Sequence, residues 1–141
     1  MPEYADDELA AHLRAAIMRL RRRLVQETDS ELSIPAMTVL GLLHRRGEQT
    51  VGQLAAAERV QPPSMTRTVT CLERDGLVAR RQGESDRRQV VVSITEDGRT
   101  RLAADRDRRT EWLARRLADL TPDERAVLDE AAPILEGLAT A

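Results

Sequence analysis

Hydrophobic spacing changes period twice in the middle of this chain, and that double change restricts the folds open to it more than any other feature. Up to Gly76 apolar residues recur at helical intervals, residues 77–81 and 89–94 are short strand-like runs of which the second alternates, and from Thr95 the helical interval returns. In the first stretch Leu9, Leu13, Ile17, Leu20 and Leu24 stand four, four, three and four residues apart, which predicts one apolar stripe on a helix over roughly residues 5–28. Ser33 is placed to cap a second helix, with Pro35 in its first turn, Met37, Leu40 and Leu43 as its buried row, and Arg45, Arg46 and Gly47 closing it. Thr50-Val51-Gly52-Gln53 spells a capping box that opens a short third helix with Leu54 and Ala55 facing inward. After a break at Val60-Gln61, Pro62 and Pro63 open a fourth helix in the turn where a missing N–H costs least. Met65, Val69 and Leu72 mark its inner face, and Gly76 stops it.

Two short strand-like runs follow, residues 77–81 and 89–94; in the second, Val90, Val92 and Ile94 share one face. Residues 82–86, Gln-Gly-Glu-Ser-Asp, have the composition of a hairpin loop. Thr95-Glu96-Asp97 starts a fifth helix running to about Asp119, and Thr121-Pro122-Asp123-Glu124 starts a sixth, with Val127, Leu128, Ala131, Ile134, Leu135 and Leu138 on one side. The expected fold is mainly α with a small β-hairpin wing. It reads as an N-terminal helix in residues 1–33, a winged helix-turn-helix in 34–95 and C-terminal helices in 96–141, in one compact domain. The stripes on the first and last helices have little else to cover them, so packing them together and against a second copy of the chain is the economical solution. Residues 1–33 and 96–141 are therefore expected to carry homodimerisation.

Charge distribution narrows the function. Apolar residues make up 41% and charged residues 33%, as in a soluble globular protein, and no apolar run is long enough to span a bilayer. The start Met1-Pro2-Glu3-Tyr4 has neither the basic nor the apolar region of a secretion signal, which points to the cytoplasm and away from membranes. All 22 basic residues are arginine, a planar fork suited to phosphate and guanine. Residues 1–33 hold five arginines against seven acids, and residues 95–141 eight against eleven. Residues 34–94 hold nine against six, leaving a centre near +3 between acidic flanks. A mildly basic centre is the electrostatic footprint of a reader of double-stranded DNA.

With Met65, Val69 and Leu72 turned inward, the fourth helix displays Pro63, Thr66, Arg67, Thr70 and Arg74 outward, with Ser64 on one flank. Arginine forks can bond guanine twice, and hydroxyls can meet several base edges. Ordinary solvated polar residues on a surface helix are the plainer reading. In the loop, Glu84-Ser85-Asp86-Arg87-Arg88 puts two arginines at or near a hairpin tip, within reach of a minor groove or backbone. There the plainer reading is a loop charged for solubility. Asp86 is read as orienting an arginine or capping the turn.

Residues 49–98 resemble the core of the MarR (multiple antibiotic resistance regulator) family. The matching pieces are Leu54-Ala55, Pro62-Pro63-Ser64-Met65-Thr66-Arg67, Leu72-Glu73-Arg74-Asp75-Gly76-Leu77-Val78, Asp86-Arg87-Arg88, and the run from Val90 to Thr95 with Gly98. The resemblance implies a homodimeric regulator, more often a repressor, on pseudo-palindromic promoter DNA. Ser64, Thr66 and Arg67 would meet the major groove and Arg88 the minor groove. It also implies a small, often aromatic or phenolic, effector in the cleft between the dimer helices and the winged region, with no cofactor.

The remaining chemistry-bearing residues read as structural. Cys71, the single cysteine, excludes an intrachain disulfide and is expected to be a buried or half-buried thiol. His12 and His44 are the only histidines and have no metal-ligand spacing around them. Trp112 is expected to pack near the dimer interface rather than in an effector cleft, Arg106-Asp107-Arg108-Arg109 to form a solvated helix face, and Tyr4, Asp6, Asp7 and Glu8 to lie where they could fold over a partner subunit. Ser64 has no histidine base near it in sequence, and no glycine-rich phosphate loop is present, so no enzyme is expected. Two other classes share the same pattern: a winged-helix dimer that docks a protein through residues 62–75, and an architectural DNA-binding protein without a ligand.

Overall fold

Six helices and three short strands follow one another in residues 6–27 and 31–141, the residues that a computed structural model of the chain describes. Their order is α1 (Asp6–Glu27), α2 (Ile34–Arg46), β1 (Gln49–Thr50), α3 (Val51–Glu58), α4 (Pro62–Arg74), β2 (Val78–Gln82), β3 (Val90–Ile94), α5 (Glu96–Ala118) and α6 (Pro122–Thr140). Tyr4 lies outside the described residues. Four helices begin at the hydroxyl residues expected to cap them. Ser33 accepts from the Ala36 N–H at 3.2 Å and Thr95 from the Gly98 N–H at 3.0 Å. Thr50 with Gln53, and Thr121 with Glu124, form complete capping boxes. Each such cap contributes about 1 kcal/mol.

The core lies where α2, α3, α4 and the sheet converge. Leu40, Leu43, Leu54, Val69, Leu72 and Val92 are all but fully buried, and Leu102 joins them from α5. The inner face of α4 is therefore held on three sides. The sheet departs from the expected two-stranded hairpin: its strand order is β1-β3-β2, all antiparallel, with Gln49 opposite Val92 and Arg80 opposite the same residue on the far side. Two residues are too few to show an alternating pattern, and Thr50 is also the N-cap of α3, so β1 is masked by a helix signal. Val92 and Ile94 are buried as expected, while Val90, farther out on the wing, is half-buried.

Thr95 ties α4, the sheet and α5 together. Its hydroxyl donates to the Gly76 carbonyl at 2.7 Å and accepts from the Gly98 N–H at 3.0 Å. Its own N–H donates to the Leu77 carbonyl at 3.1 Å. Gly76 makes the turn out of α4 with φ of 76°, a backbone region that disfavours any side chain. Gly98 is required for a different reason: a β-carbon there would collide with the Leu77 carbonyl and crowd Ile94.

The terminal helices contribute little to this core. Neither α1 nor α6 holds a fully buried residue, and Leu9 and Leu138 remain 59% and 65% exposed. The expected packing of these helices on each other is only partly realised within one chain. Leu9, Leu13 and Ile17 of α1 face Leu135 and Leu138 of α6 across an open groove of about 450 Å³. The upper part of α1 is better seated, where Arg23 lies 5.9 Å from the centroid of the Trp112 ring on α5. Among the described residues no helix is long and apolar enough to cross a membrane.

Gly98→Ala tests the joint at Thr95. The added methyl must push apart the start of α5 and the end of α4, with an expected loss of about 1–3 kcal/mol in folding free energy by urea denaturation. The same substitution at Gly137, where a β-carbon meets nothing within 4 Å, is expected to be neutral or slightly stabilising.

Candidate nucleic-acid interface

Helix α4 divides cleanly into two faces. Met65, Val69 and Leu72 are buried, whereas Pro63, Thr66, Arg67, Thr70 and Arg74 are exposed and Ser64 is half-exposed at the flank. The exposed hydroxyls are already committed as donors: Thr66 Oγ1 donates to the Pro62 carbonyl at 3.0 Å and Thr70 Oγ1 to the Thr66 carbonyl at 2.8 Å. Both therefore present acceptor lone pairs and a methyl group outward. Arg67 is steadied by its Nη2, which donates to Ser64 Oγ at 3.3 Å. Arg74 makes a loose, exposed ion pair, its Nε lying 3.9 Å from Asp75 Oδ1.

The wing projects beside this face. Between β2 and β3 the Gly83 N–H donates to the Gln89 carbonyl at 2.9 Å, and the Gln89 N–H to the Asp86 carbonyl at 3.1 Å, closing a tight loop. Asp86 Oδ1 accepts from the Arg88 N–H at 3.0 Å and from Arg88 Nε at 3.4 Å. The acid in the wing thus caps the turn and orients an arginine, the role expected of it. Arg88 nonetheless keeps its side chain 94% exposed, and Arg87 is exposed as well.

Not every arginine of the basic centre is available. Arg80 on β2 makes a two-pronged bond to Glu73 on α4, Nε to Oε2 at 3.1 Å and Nη2 to Oε1 at 2.8 Å. Arg81 Nη2 donates to Glu48 Oε1 at 2.7 Å. These pairs clamp the wing to the helix on one side and to the loop before β1 on the other. Reading the sequence missed both, because only the strand register reveals that residues 7 and 33 positions apart meet. The hydrogen bonds from Arg80 hold the Glu73 carboxyl below the ordinary value of 4.5, and Glu73 in turn raises Arg80.

Cys71 corrects an expectation. It is exposed rather than buried or half-buried. On the helical wheel it falls beyond Arg67, outside the narrow arc of residues 65, 69 and 72, and that arc is all that the core covers. Trp112 packs between α1 and α5, half-buried, with the Arg116 guanidinium 5.1 Å from its ring centroid. Arg108 of the charged α5 run is not simply solvated: it pairs at 3.1 Å with Asp105, which is 1% exposed. Among the described residues no group of three or more His, Cys, Asp or Glu side chains converges as a metal site requires.

An HTH-type transcriptional regulator of Mycobacterium tuberculosis is 42% identical over 135 residues, 95% of this chain and 94% of that protein. Residues 32–90, which span α2 to the wing, match the sequence profile of the MarR family. The chain belongs to the MarR family. The crystal structure of a putative transcriptional regulator from Pseudomonas aeruginosa superposes with a TM-score of 0.86 at 37% identity, covering 98% of this chain and 99% of that one. The Bacillus subtilis transcriptional repressor MdtR is 27% identical over 135 residues, 95% of this chain and 85% of its own. This MarR protein is accordingly a DNA-binding transcriptional regulator with a winged-helix fold, and the proteins it matches are regulators, not enzymes.

The Glu73–Arg80 clamp gives a pH prediction. A carboxyl whose folded-state value is depressed adds stability above its ordinary value, and that contribution is lost as pH falls through the folded value. The unfolding midpoint of the parent is therefore expected to decline below about pH 4.5, and Glu73→Gln is expected to flatten that part of the decline. The measure is urea denaturation at a series of pH values, and equal slopes for both proteins would show that the clamp is not coupled to folding.

Proposed function

We propose that this MarR protein is a homodimeric, ligand-responsive repressor acting in the cytoplasm on pseudo-palindromic promoter DNA. The observation that carries the reading is the division of α4. One face is locked in the core, and the other presents Pro63, Ser64, Thr66, Arg67, Thr70 and Arg74 beside a wing that projects Arg87 and Arg88. On this reading α4 lies in the major groove, with Arg67 on base edges, and the wing follows the backbone into the minor groove.

Dimerisation is supported by surface that a lone chain has no reason to expose. Leu9, Ile17, Val127, Leu128, Ile134 and Leu138 stay between 46% and 66% exposed on α1 and α6. Two copies joined there would carry two α4 helices to an inverted repeat, with half-sites about one helical turn apart. Repression is supported by the sign of the relative MdtR.

Ligand response is supported by a cleft of about 390 Å³ where α1, α2 and α5 meet. Its apolar floor includes Leu24, Met37 and Leu102, and Arg21, Arg45, Arg106 and Arg109 surround it. Arg109 buries Nε and Nη2 without an acceptor, a cost that a ligand oxygen would remove. The chemistry fits a small organic anion with an apolar body, such as a phenolate or an aromatic carboxylate. An occupant would wedge α2, part of the reading head, against α1 and α5.

Selection of bound fragments from a genomic DNA pool is expected to return an inverted repeat, and equal affinity for that site and random duplex would sink the reading. Arg67→Ala is expected to cost about 1–3 kcal/mol of discrimination at one base position, whereas Arg88→Ala weakens binding evenly across sequences. Titrating aromatic carboxylates while following Trp112 fluorescence and operator release tests the cleft. Arg109→Ala is expected to abolish that response while leaving operator binding intact.

A further inference from the structure

We infer that Arg59, in the turn between α3 and α4, is a contact to DNA phosphate that replaces the anchoring the start of α4 cannot supply. The inference rests on the reading of α4 as the helix that enters DNA. Its first support is backbone geometry. α3 ends in a Schellman motif: the Arg59 N–H donates to the Ala56 carbonyl at 3.2 Å and the Val60 N–H to the Ala55 carbonyl at 3.0 Å. That motif forces residue 59 into the left-handed region, at φ 53° and ψ 44°. Glycine is the favoured residue there, because a β-carbon crowds the backbone. Among the described residues Arg59 is the one non-glycine residue with positive φ. A strained position that carries a long charged side chain where none is needed for the turn points to a use for that side chain.

The second support is what α4 lacks. A helix N-terminus ordinarily docks phosphate through its free N–H groups and its dipole. Here the first two helical residues are Pro62 and Pro63, which have no N–H, and the third, Ser64, already donates its N–H to the Gln61 carbonyl at 3.0 Å. The Gln61 side chain makes no capping bond that would organise the turn. The opening of the helix keeps its positive dipole end but has lost the donors with which to hold an anion. A phosphate beside it must be met by a side chain.

The third support is availability. Arg59 is exposed and enters none of the ion pairs formed among the described residues. Its acidic neighbour Glu58 lines the crevice between α2 and α4 with Thr38, Met65 and Thr68 instead. Arg80 and Arg81, by contrast, are held by Glu73 and Glu48. Arg59 sits three residues before the helix start, on the side from which α4 would enter a groove, and an arginine fork there is matched to a phosphate.

The test compares the parent with Arg59→Gly and Arg59→Lys, by fluorescence anisotropy on a duplex selected by the parent and on a random duplex, across a salt titration. Glycine suits the turn, so Arg59→Gly is expected to melt at or above the temperature of the parent. Its affinity for both duplexes is expected to fall by the same factor, on the order of tenfold for each protomer, and the slope of log affinity against log salt to become shallower by about 0.9 for each protomer, about 1.8 for the dimer. Arg59→Lys keeps the charge and is expected to keep the slope. Unchanged affinity and slope in Arg59→Gly would overturn the inference. So would a loss confined to the selected duplex at unchanged slope, which would mark Arg59 as a base reader, or equal losses in the glycine and lysine variants. A parent that binds both duplexes alike overturns the operator reading instead, and the slope of its non-specific binding still reports whether Arg59 meets phosphate.

Discussion

The placement of α4 depends on the joint at Thr95. One hydroxyl both gives a hydrogen bond to the carbonyl where α4 ends, at Gly76, and receives one from the first turn of α5, at Gly98. The Leu77 carbonyl takes the Thr95 N–H and lies so close to Gly98 that no side chain fits between them. The C-terminal end of α4, the root of the wing and the start of α5 are thereby fixed to one another within a few residues. The inner face then needs only Met65, Val69 and Leu72 to seat the rest of the helix. A helix held in this way can expose its whole outer face to a ligand as demanding as a DNA groove without losing its position.

Arginine is the sole basic residue, and the molecule sorts its 22 copies by context. Where an acid lies one helical turn away, as in Arg23–Glu27, Arg115–Glu111 and Arg108–Asp105, the pair is local. Of these, the exposed pairs Arg23–Glu27 and Arg115–Glu111 contribute little to stability, whereas Asp105 is buried. The clamps Arg80–Glu73 and Arg81–Glu48 differ because they join separate elements and set the angle of the wing. Satisfying those two leaves seven arginines in residues 34–94, five of them on the α4 face, the α3–α4 turn and the wing tip and two, Arg45 and Arg46, at the end of α2. The formal charge of −2 hides this sorting completely.

How much of this could be read from the sequence follows from the range of each signal. Caps and stops act within four residues, so Ser33, Thr50, Thr95, Thr121 and Gly76 announced the helix boundaries correctly. The two faces of α4 were legible for the same reason, since the period that buries Met65 exposes Thr66 and Arg67. Features that depend on register were not. β1 is two residues long and exists only because β3 passes beside it, and the partners of Arg80 and Arg81 are decided by how β2 lies on α4 and on the loop before β1. Cys71 was misjudged because cysteine is usually buried. Its place on the wheel, next to exposed Arg67, was the better guide. The left-handed turn at Arg59 carried no signal, because an arginine does not advertise a conformation that glycine would.

Length explains how the reading head and the terminal helices can work as one body. α5 has 23 residues, about 35 Å of continuous helix. Its first turn is locked to α4 and β2 through Gly98, its middle holds Leu102 in the core and Arg106 and Arg109 at the cleft, and its last turns carry Trp112 against α1. A rigid rod joined to the head at one end and to α1 at the other has little freedom to bend between them. With the head fixed to the start of α5, a change in how α1 meets α2 across the arginine-lined cleft would, on the proposed reading, shift α1 along the far part of α5 and so rotate the head relative to α1. In the proposed dimer such a rotation would move both α4 helices relative to a fixed half-site spacing, which is the quantity an inverted repeat measures. On the proposed reading, an occupant of that cleft would act on the α4 surface without touching it.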